Sequence, residues 1–162
     1  MNVSSDFQSI YPSGFLKAGV GDLLKQASNA WAETKKAEAF LLEAQKMAPK
    51  ALPVYFSLYK FYFYKGELEQ AENTVRKALD TSAELGNFDN DWAIQTRVSA
   101  PWSQHDSPAH FYLFSLKALA FIRLRRGDPE TCQAILAKLT QLDPEDTIGS
   151  GVIRSIANSI HH

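Results

Sequence analysis

The sequence has little of what several classes of protein require. Its 162 residues include one cysteine, Cys132, so they can form no disulfide among themselves, which suits a reducing compartment. No apolar run approaches the roughly 20 residues of a membrane-spanning helix. The first residues lack the basic start and apolar stretch of a secretory signal. We therefore expect a cytoplasmic protein with no membrane insertion.

Neither sign of charge is in excess. Lys and Arg number 17 against 18 Asp and Glu, for a formal net charge of −1. That balance gives no bulk attraction to nucleic acid or to an anionic membrane. Arg123, Arg125 and Arg126 form a basic cluster, but they end a predicted helix, where cations favour the helix dipole. A phosphate-binding role is the weaker interpretation, and we predict no nucleic-acid partner.

The residue patterns that carry catalysis are also missing. There is no glycine loop that would cradle a phosphate and no nucleophile elbow. His105, Asp106 and His110 lie close together, but no further Cys or His supplies the remaining ligands that a zinc site needs. Cys132 is better interpreted as a small buried hydrophobe than as a nucleophile. We predict no enzyme, no metal and no cofactor.

What the sequence does contain is a repeat of small residues. Ala37 and Ala71 are 34 residues apart, and so are Ala44 and Ala78. Small side chains at recurring positions allow paired helices to approach closely. A period of this length is typical of arrays in which each repeat is a pair of helices.

A third copy follows after an interruption. The sequence from Gly66 to Ala71 resembles that from Gly127 to Cys132, with a small residue five positions after the glycine. Gly66 and Gly127 are 61 residues apart, which is one period of 34 plus 27. Extra chain therefore separates the second and third copies, and we place it at 87–106.

These three copies resemble the tetratricopeptide repeat family over about residues 20 to 145. The pattern is carried by Leu24, Ala37, Leu41, Ala44 and Pro49, then by Tyr55, Leu58, Tyr62, Gly66, Ala71, Val75 and Ala78, and last by Leu116, Leu119, Gly127, Cys132, Leu136 and Pro144. Two positions depart from it: Ala32 stands where the turn glycine belongs, and Arg123 replaces the usual aromatic residue. The resemblance implies an all-α superhelix of about seven helices, a single domain over 1–162, and a C-terminal capping helix over 147–160.

Local signals predict where these helices begin and end. Ser107 and Asp128, each followed by proline, are typical N-caps. Gly86 and Gly127 occupy places where C-terminal glycines belong. The predicted helices span about 15–30, 33–48, 53–65, 67–85, 108–126, 129–142 and 147–160. The remainder is a loose N-terminus at 1–14 and the inserted loop at 87–106, where a short helix at 91–97 is an option.

The resemblance also implies a binding surface, because the first helix of each repeat lines a concave face. The predicted partner-binding residues are Gln26, Asn29, Phe56, Lys60, Phe63, Tyr64, Phe114, Lys117, Phe121 and Arg125. Aromatic rings with a few cations suit an amphipathic helix or an extended segment with apolar anchors and an acidic group. The alternative is that these rings are core, or that Trp92 and Trp102 of the inserted loop fold back over them.

We therefore predict a protein–protein interaction module, an adaptor or scaffold that binds a peptide or helix of a partner. A small dedicated chaperone is the alternative, since three repeats and a terminal helix resemble the chaperones of type III secretion translocators. A helical enzyme has the least support. Whether the protein is a monomer or a homodimer stays open.

Overall fold

The structure is a computed structural model that describes residues 19–160. The loose N-terminus predicted at 1–14 and the start of the first predicted helix lie outside these residues. Within them the chain is all-α, as predicted, with seven α-helices, one short 3₁₀ turn and no strand. The helices are α1 (Val20–Asn29), α2 (Thr34–Met47), α3 (Leu52–Tyr64), α4 (Leu68–Gly86), α5 (Pro108–Arg125), α6 (Pro129–Leu142) and α7 (Gly151–Ile160), and the 3₁₀ turn is Trp92–Ile94.

The chain divides into two compact units, Met1–Thr74 and Val75–His162. In the first unit, α1 packs on α2 and α2 packs on α3. In the second, α5 packs along α6, α7 contacts both, and the 3₁₀ turn contacts α6. The single domain that the sequence predicts over 1–162 stays a prediction, because this division does not test it.

The small side chains of the repeat are buried. Ala37, Ala44, Ala71, Ala78 and Cys132 are each 0% exposed. A larger side chain at any of them would have to displace a neighbour, because protein interiors are packed as densely as organic crystals. The recurring small residues therefore mark packed positions, as predicted.

Glycine ends two of the helices, as predicted for Gly127. Gly66 has φ +79°, and its N–H donates to the carbonyl oxygen of Phe63 at 3.1 Å. The N–H of Glu67 donates to the carbonyl oxygen of Tyr62 at 2.9 Å. This pair of bonds is the Schellman arrangement, which needs a left-handed residue at this place. Gly127, at φ +85°, ends α5 in the same way.

The two predicted N-caps are confirmed. The Ser107 hydroxyl accepts a hydrogen bond from the His110 N–H at 3.0 Å. The Asp128 carboxylate accepts one from the Thr131 N–H at 3.1 Å. Each satisfies an N–H group that the first turn of its helix cannot pair internally.

The end of α4 differs from the prediction. Gly86 is the last helical residue, and the left-handed residue is Asn87, at φ +57°. The N–H of Phe88 then donates to the carbonyl oxygen of Ala83 at 3.0 Å. Gly86 serves close packing instead, because a methyl group there would lie 2.5 Å from the Phe88 ring. Asparagine tolerates the left-handed conformation better than most residues.

The last helix begins at Gly151 and not at residue 147. The Asp143 carboxylate accepts the N–H of Ile148 at 3.1 Å, and Asp146, at φ +54°, accepts the N–H of Ser150 at 2.7 Å. These two acidic side chains hold the linker between α6 and α7 as a turn. Asp and Asn side chains bond their own backbone readily, and the bonds compete with helix formation.

Candidate partner-binding site

Helix α3 carries most of the aromatic residues in the first unit. At about 100° per residue, the spacing of Tyr55, Leu58, Tyr59 and Tyr62 predicts that they share one packing stripe of α3, and all four are buried. The prediction that this stripe belongs to the core is confirmed.

Two tyrosine hydroxyls of this stripe are tied to neighbouring segments. The Tyr55 hydroxyl donates to the carbonyl oxygen of Pro49 at 2.6 Å, and that of Tyr62 donates to the Glu38 carboxylate at 2.8 Å. Burial, followed by the hydrogen bond and charge of Glu38, raises the pKa of Tyr62 far above its ordinary value of 10.0. Tyr62 therefore stays a neutral donor that fixes α3 against α2.

Phe56, Lys60 and Phe63 recur at i, i+4 and i+7 on a second stripe of α3, which Tyr64 borders, and this predicted partner-binding stripe is partly covered. Phe56 is buried, at 7% exposed, and Lys60 Nζ lies 5.1 Å from the centre of its ring. Lys60 and Phe63 are half-buried, whereas Tyr64 is 56% exposed. Phe56 thus forms the floor of this surface, and Lys60, Phe63 and Tyr64 form the part that reaches solvent. We call those three residues the α3 face.

The predicted residues of α1, Gln26 and Asn29, are both exposed. They supply polar groups in the same unit as the α3 face.

Helix α5 carries the predicted residues of the third copy. Phe114, Lys117 and Phe121 are half-buried, and Arg125 is exposed. Lys117 Nζ lies 5.5 Å from the centre of the Phe114 ring and donates to the carbonyl oxygen of Ile148 at 2.7 Å. The linker before α7 therefore already engages Lys117. Sequence spacing gives no sign of this contact, because 31 residues separate its partners.

A cluster at the end of α3 was not foreseen. The Trp31 and Phe61 rings meet edge to face at 5.2 Å. Lys65 Nζ lies 5.5 Å and 5.8 Å from their centres and donates to the Trp31 carbonyl oxygen at 2.6 Å. The cation fixes the loop after α1 against the end of α3, where it also complements the helix dipole. A lysine directly before the turn glycine Gly66 is the only sequence signal for it.

The inserted loop packs within the second unit. Trp102 is 3% exposed and its ring contacts Phe88 at 5.2 Å and Tyr112 at 6.0 Å. None of these three residues belongs to the predicted binding set. In place of the optional helix at 91–97 the structure has the 3₁₀ turn, whose Trp92 is half-buried.

The histidine cluster at the start of α5 serves packing. His110 is 2% exposed, with its Nδ1 at 2.7 Å from the Trp102 carbonyl oxygen and its ring edge to face with Phe114 at 5.3 Å. His105 contacts the His110 ring at 5.0 Å. Among residues 19–160, no three His, Cys, Asp or Glu side chains are grouped to hold a metal ion.

Cys132 lies in the core of the second unit, 0% exposed. Burial, and secondarily the charge of Asp128, raises the pKa of its thiol. A raised pKa disfavours the thiolate, which is the reactive form. The side chain therefore behaves as the small hydrophobe that the repeat pattern predicts.

Over the part of the chain that the structure describes, no helix combines the length and apolar character that a membrane span needs. No model of a known protein family matches the chain. No solved structure matches it either. The chain is 30% identical over 122 residues to the uncharacterized 19.8 kDa protein in the nifW 5′ region of Azotobacter chroococcum mcd 1. The match covers 74% of this chain and 68% of that relative. The chain therefore belongs to the family of this Azotobacter protein.

Proposed function

We propose that this protein is a cytoplasmic interaction module of the tetratricopeptide type, an adaptor or scaffold and not an enzyme, that binds an apolar segment of a partner protein. The observation that carries the proposal is the α3 face. A helix that already buries aromatic rings on its inner side also presents Lys60, Phe63 and Tyr64 outward. The Phe63 and Tyr64 rings meet edge to face at 5.6 Å, and contiguous apolar patches at a surface mark contact sites.

Three features support the assignment to the tetratricopeptide type. The small residues that recur at an interval of 34 are buried. Gly66 and Gly127 close their helices with the same turn. Neighbouring helices in each unit pack as pairs. Arrays of helix pairs typically use one continuous face to hold peptides.

The chemistry of the α3 face indicates the partner's chemistry. Lys60 lies above the Phe56 ring, so a carboxylate that approaches it is met by a cation on an apolar floor. Phe63 and Tyr64 offer rings to apolar anchors. An amphipathic helix or extended segment with aliphatic or aromatic anchors and one acidic group fits this pattern. Helix α5 has a similar composition in its own unit, with Phe114, Lys117, Phe121 and Arg125.

The test compares two double variants of the full chain as bait in native lysate. Lys60→Glu with Tyr64→Ala changes the α3 face, and Leu42→Ala with Lys46→Glu makes the same kind of change at exposed positions on α2. We expect the first to reduce capture of the partner about tenfold or more, since one lost charge pair and one lost aromatic anchor each cost over ~1 kcal/mol. The second should capture as the wild type does.

Equal capture by both variants would contradict the proposal. Phe56 is left intact because removal of a buried ring costs about 3–5 kcal/mol of stability and would confound the result. A captured protein that binds only in a non-native state would favour the chaperone alternative.

A further inference from the structure

The protein's own chain lies against the α5 residues of the predicted binding set. Phe114, Lys117 and Phe121, which we call the α5 face, are half-buried. Lys117 Nζ donates to the carbonyl oxygen of Ile148 at 2.7 Å, and a methyl group on Gly149 would lie 3.8 Å from the same nitrogen. The linker before α7 therefore occupies the cation of this face.

Residues 147–160 have the chemistry expected of a partner segment. Ile148 is 3% exposed, and α7, which packs on both α5 and α6, buries Ile153 at 6% and Ala157 at 0% exposed. The segment thus supplies three apolar anchors. The carbonyl oxygen of Ile148 takes the place at Lys117 that a partner's acidic group would take. An amphipathic helix laid against an apolar face is a common mode of peptide recognition.

The outer side of α7 is not that of a permanent cap. Helical arrays need end units with a polar outer face, because that face stays in water. Val152 is 65% exposed and Ile156 is 36% exposed. The predicted role of α7 as a capping helix therefore accounts for its inner side alone.

Polar contacts near the surface hold α7 to α6. Arg154 Nη2 donates to the carbonyl oxygen of Leu136 at 3.2 Å and to the exposed Thr140 hydroxyl at 2.6 Å. A helix of 10 residues is marginal on its own, so α7 depends on its anchors and on these bonds. Helices α5 and α6 bury many more side chains. We therefore expect α7 to open before they do.

We propose that residues 147–160 form a strap that occupies the α5 face until a partner segment displaces it, an inference that rests on the proposed function because it takes that face as a binding surface. A carboxylate of the partner would replace the neutral carbonyl oxygen of Ile148 at Lys117, since an ammonium group binds a charged acceptor more strongly than a neutral one. The partner is thus an amphipathic helix with an acidic group ahead of its first turn.

The probe is a fluorescent peptide with the sequence of residues 147–160. On the full chain with Arg154→Ala, the peptide keeps the contacts with Leu136 and Thr140 that the resident strap has lost. We expect fluorescence anisotropy to show about tenfold or more tighter binding to this variant than to the wild type. In the wild type the tether gives the strap an effective concentration on the order of mM, which the peptide must overcome.

Two controls keep this measurement specific. Ser155→Ala, at an exposed position on the same helix, should bind the peptide as the wild type does. A peptide with Ile153→Ser and Ala157→Ser should bind none of the chains, because it has lost two of its three anchors.

A covalent bridge tests the opposite change. Thr140→Cys with Arg154→Cys, in a Cys132→Ala background, places one thiol on α6 and one on α7 where the wild-type side chains touch. A short bismaleimide then ties the strap down. We expect the bridged chain to lose peptide binding and the unbridged chain to bind as Arg154→Ala does, with the same far-UV circular dichroism.

Equal binding to the bridged and unbridged chains would overturn the proposal, because the peptide would then bind elsewhere. Failure of Arg154→Ala to bind the peptide would overturn it too. Hydrogen exchange that protects the amides of α7 and α6 equally would do the same, since the strap would then open only with the whole unit. None of these measurements changes the α3 face, so the strap can fail while that face stands. Equal lysate capture by the wild type and by Lys60→Glu with Tyr64→Ala would refute the α3 face and leave the peptide result as it is.

Discussion

At the scale of the residue, Asp128 shows how one carboxylate serves two helices. Its Oδ1 accepts from the Thr131 N–H at 3.1 Å and so begins α6. Its Oδ2 accepts from Arg123 of α5 at 2.8 Å. The resemblance described above predicts an aromatic residue at position 123, and the structure has this ion pair there instead. The hydrogen bonds from Thr131 and Arg123 lower the pKa of Asp128 from 3.8 to about 2.

This pKa predicts a pH dependence. A carboxylate with a lower pKa in the folded chain than in the unfolded chain stabilises the fold above the unfolded value, and the contribution is lost as the pH falls to the folded value. We expect Asp128→Asn to unfold at a lower urea concentration than the wild type at pH 7. The difference between the urea midpoints of the variant and the wild type should disappear between about pH 4 and pH 2. Urea midpoints at stepped pH measure it.

Glu130→Gln is the matched control for this experiment, since Glu130 is exposed in the first turn of the same helix. Its urea midpoint should run nearly parallel to that of the wild type. If the urea midpoints of both variants change with pH in the same way, the Arg123–Asp128 pair makes no particular contribution to stability.

At the scale of the element, the turns after α3 and α5 depend on backbone conformation alone. Gly66 and Gly127 have positive φ, and a methyl group on either would meet no atom within 4 Å. An alanine there would therefore lower stability through its strained backbone conformation and not through a steric clash. We expect Gly66→Ala to lower the free energy of unfolding by about 1–2 kcal/mol, and Gly66→Asn by less. Urea unfolding of both variants tests this order.

At Gly86, unlike Gly66, lack of space and not backbone conformation should decide the effect of a substitution. Its backbone is helical, but the Phe88 ring lies 2.5 Å from where a methyl group would be. Asparagine at residue 86 should therefore be worse than alanine, because the larger side chain increases the clash. The same order at Gly66 as at Gly86 would show that space, and not backbone conformation, decides at both turns.

Sequence reasoning succeeded where a local signal decides the structure. Proline after Ser107 and after Asp128 marked both N-caps, because proline is favoured in the first turn. It failed where two local signals competed, as at Gly86 and Asn87, which can both end a helix. The start of α7 was also wrong, because the side-chain bonds of Asp143 and Asp146 compete with the apolar spacing that follows them.

Local sequence signals did not predict which residues of the predicted binding set are exposed and which are buried. The periodicity of α3 separates two stripes, but both Phe56 and Tyr64 fall on or beside the second, and only packing against other segments buries one and exposes the other. Lys117 shows the same limit, since its engagement by Ile148 depends on where the linker before α7 runs. The conformation of the inserted loop depends on the buried Gln95, which bonds to Asp89, Asp91 and Ser99 and has no pattern around it in the sequence.

At the scale of the whole molecule, the second unit has a dense core between α5 and α6. Leu113, Leu116, Ile135 and Leu139 are at most 1% exposed there, in the same hairpin as Cys132. A thiol at this site reports on opening of the unit, because it can react only when the hairpin separates.

We expect an aromatic disulfide reagent to label native Cys132 roughly a thousandfold more slowly than the denatured chain, given ordinary domain stability. The rate should rise with urea in step with loss of helix. The control is Ser103→Cys in a Cys132→Ala background, which puts the thiol at an exposed site. Equal labelling of the two thiols would show that Cys132 is accessible and would revive its interpretation as a nucleophile.

The two ends of the inserted segment lie almost against each other. A methyl group on Gly86 would come within 3.4 Å of the Pro108 Cβ, so α4 stops where α5 starts. The chain between them leaves and returns at one point and need not bend either helix. Replacement of this loop by one of a different length should therefore leave α4 and α5 in place. A change of the inserted segment would therefore alter the surface of the second unit without any change in the ends of the two helices.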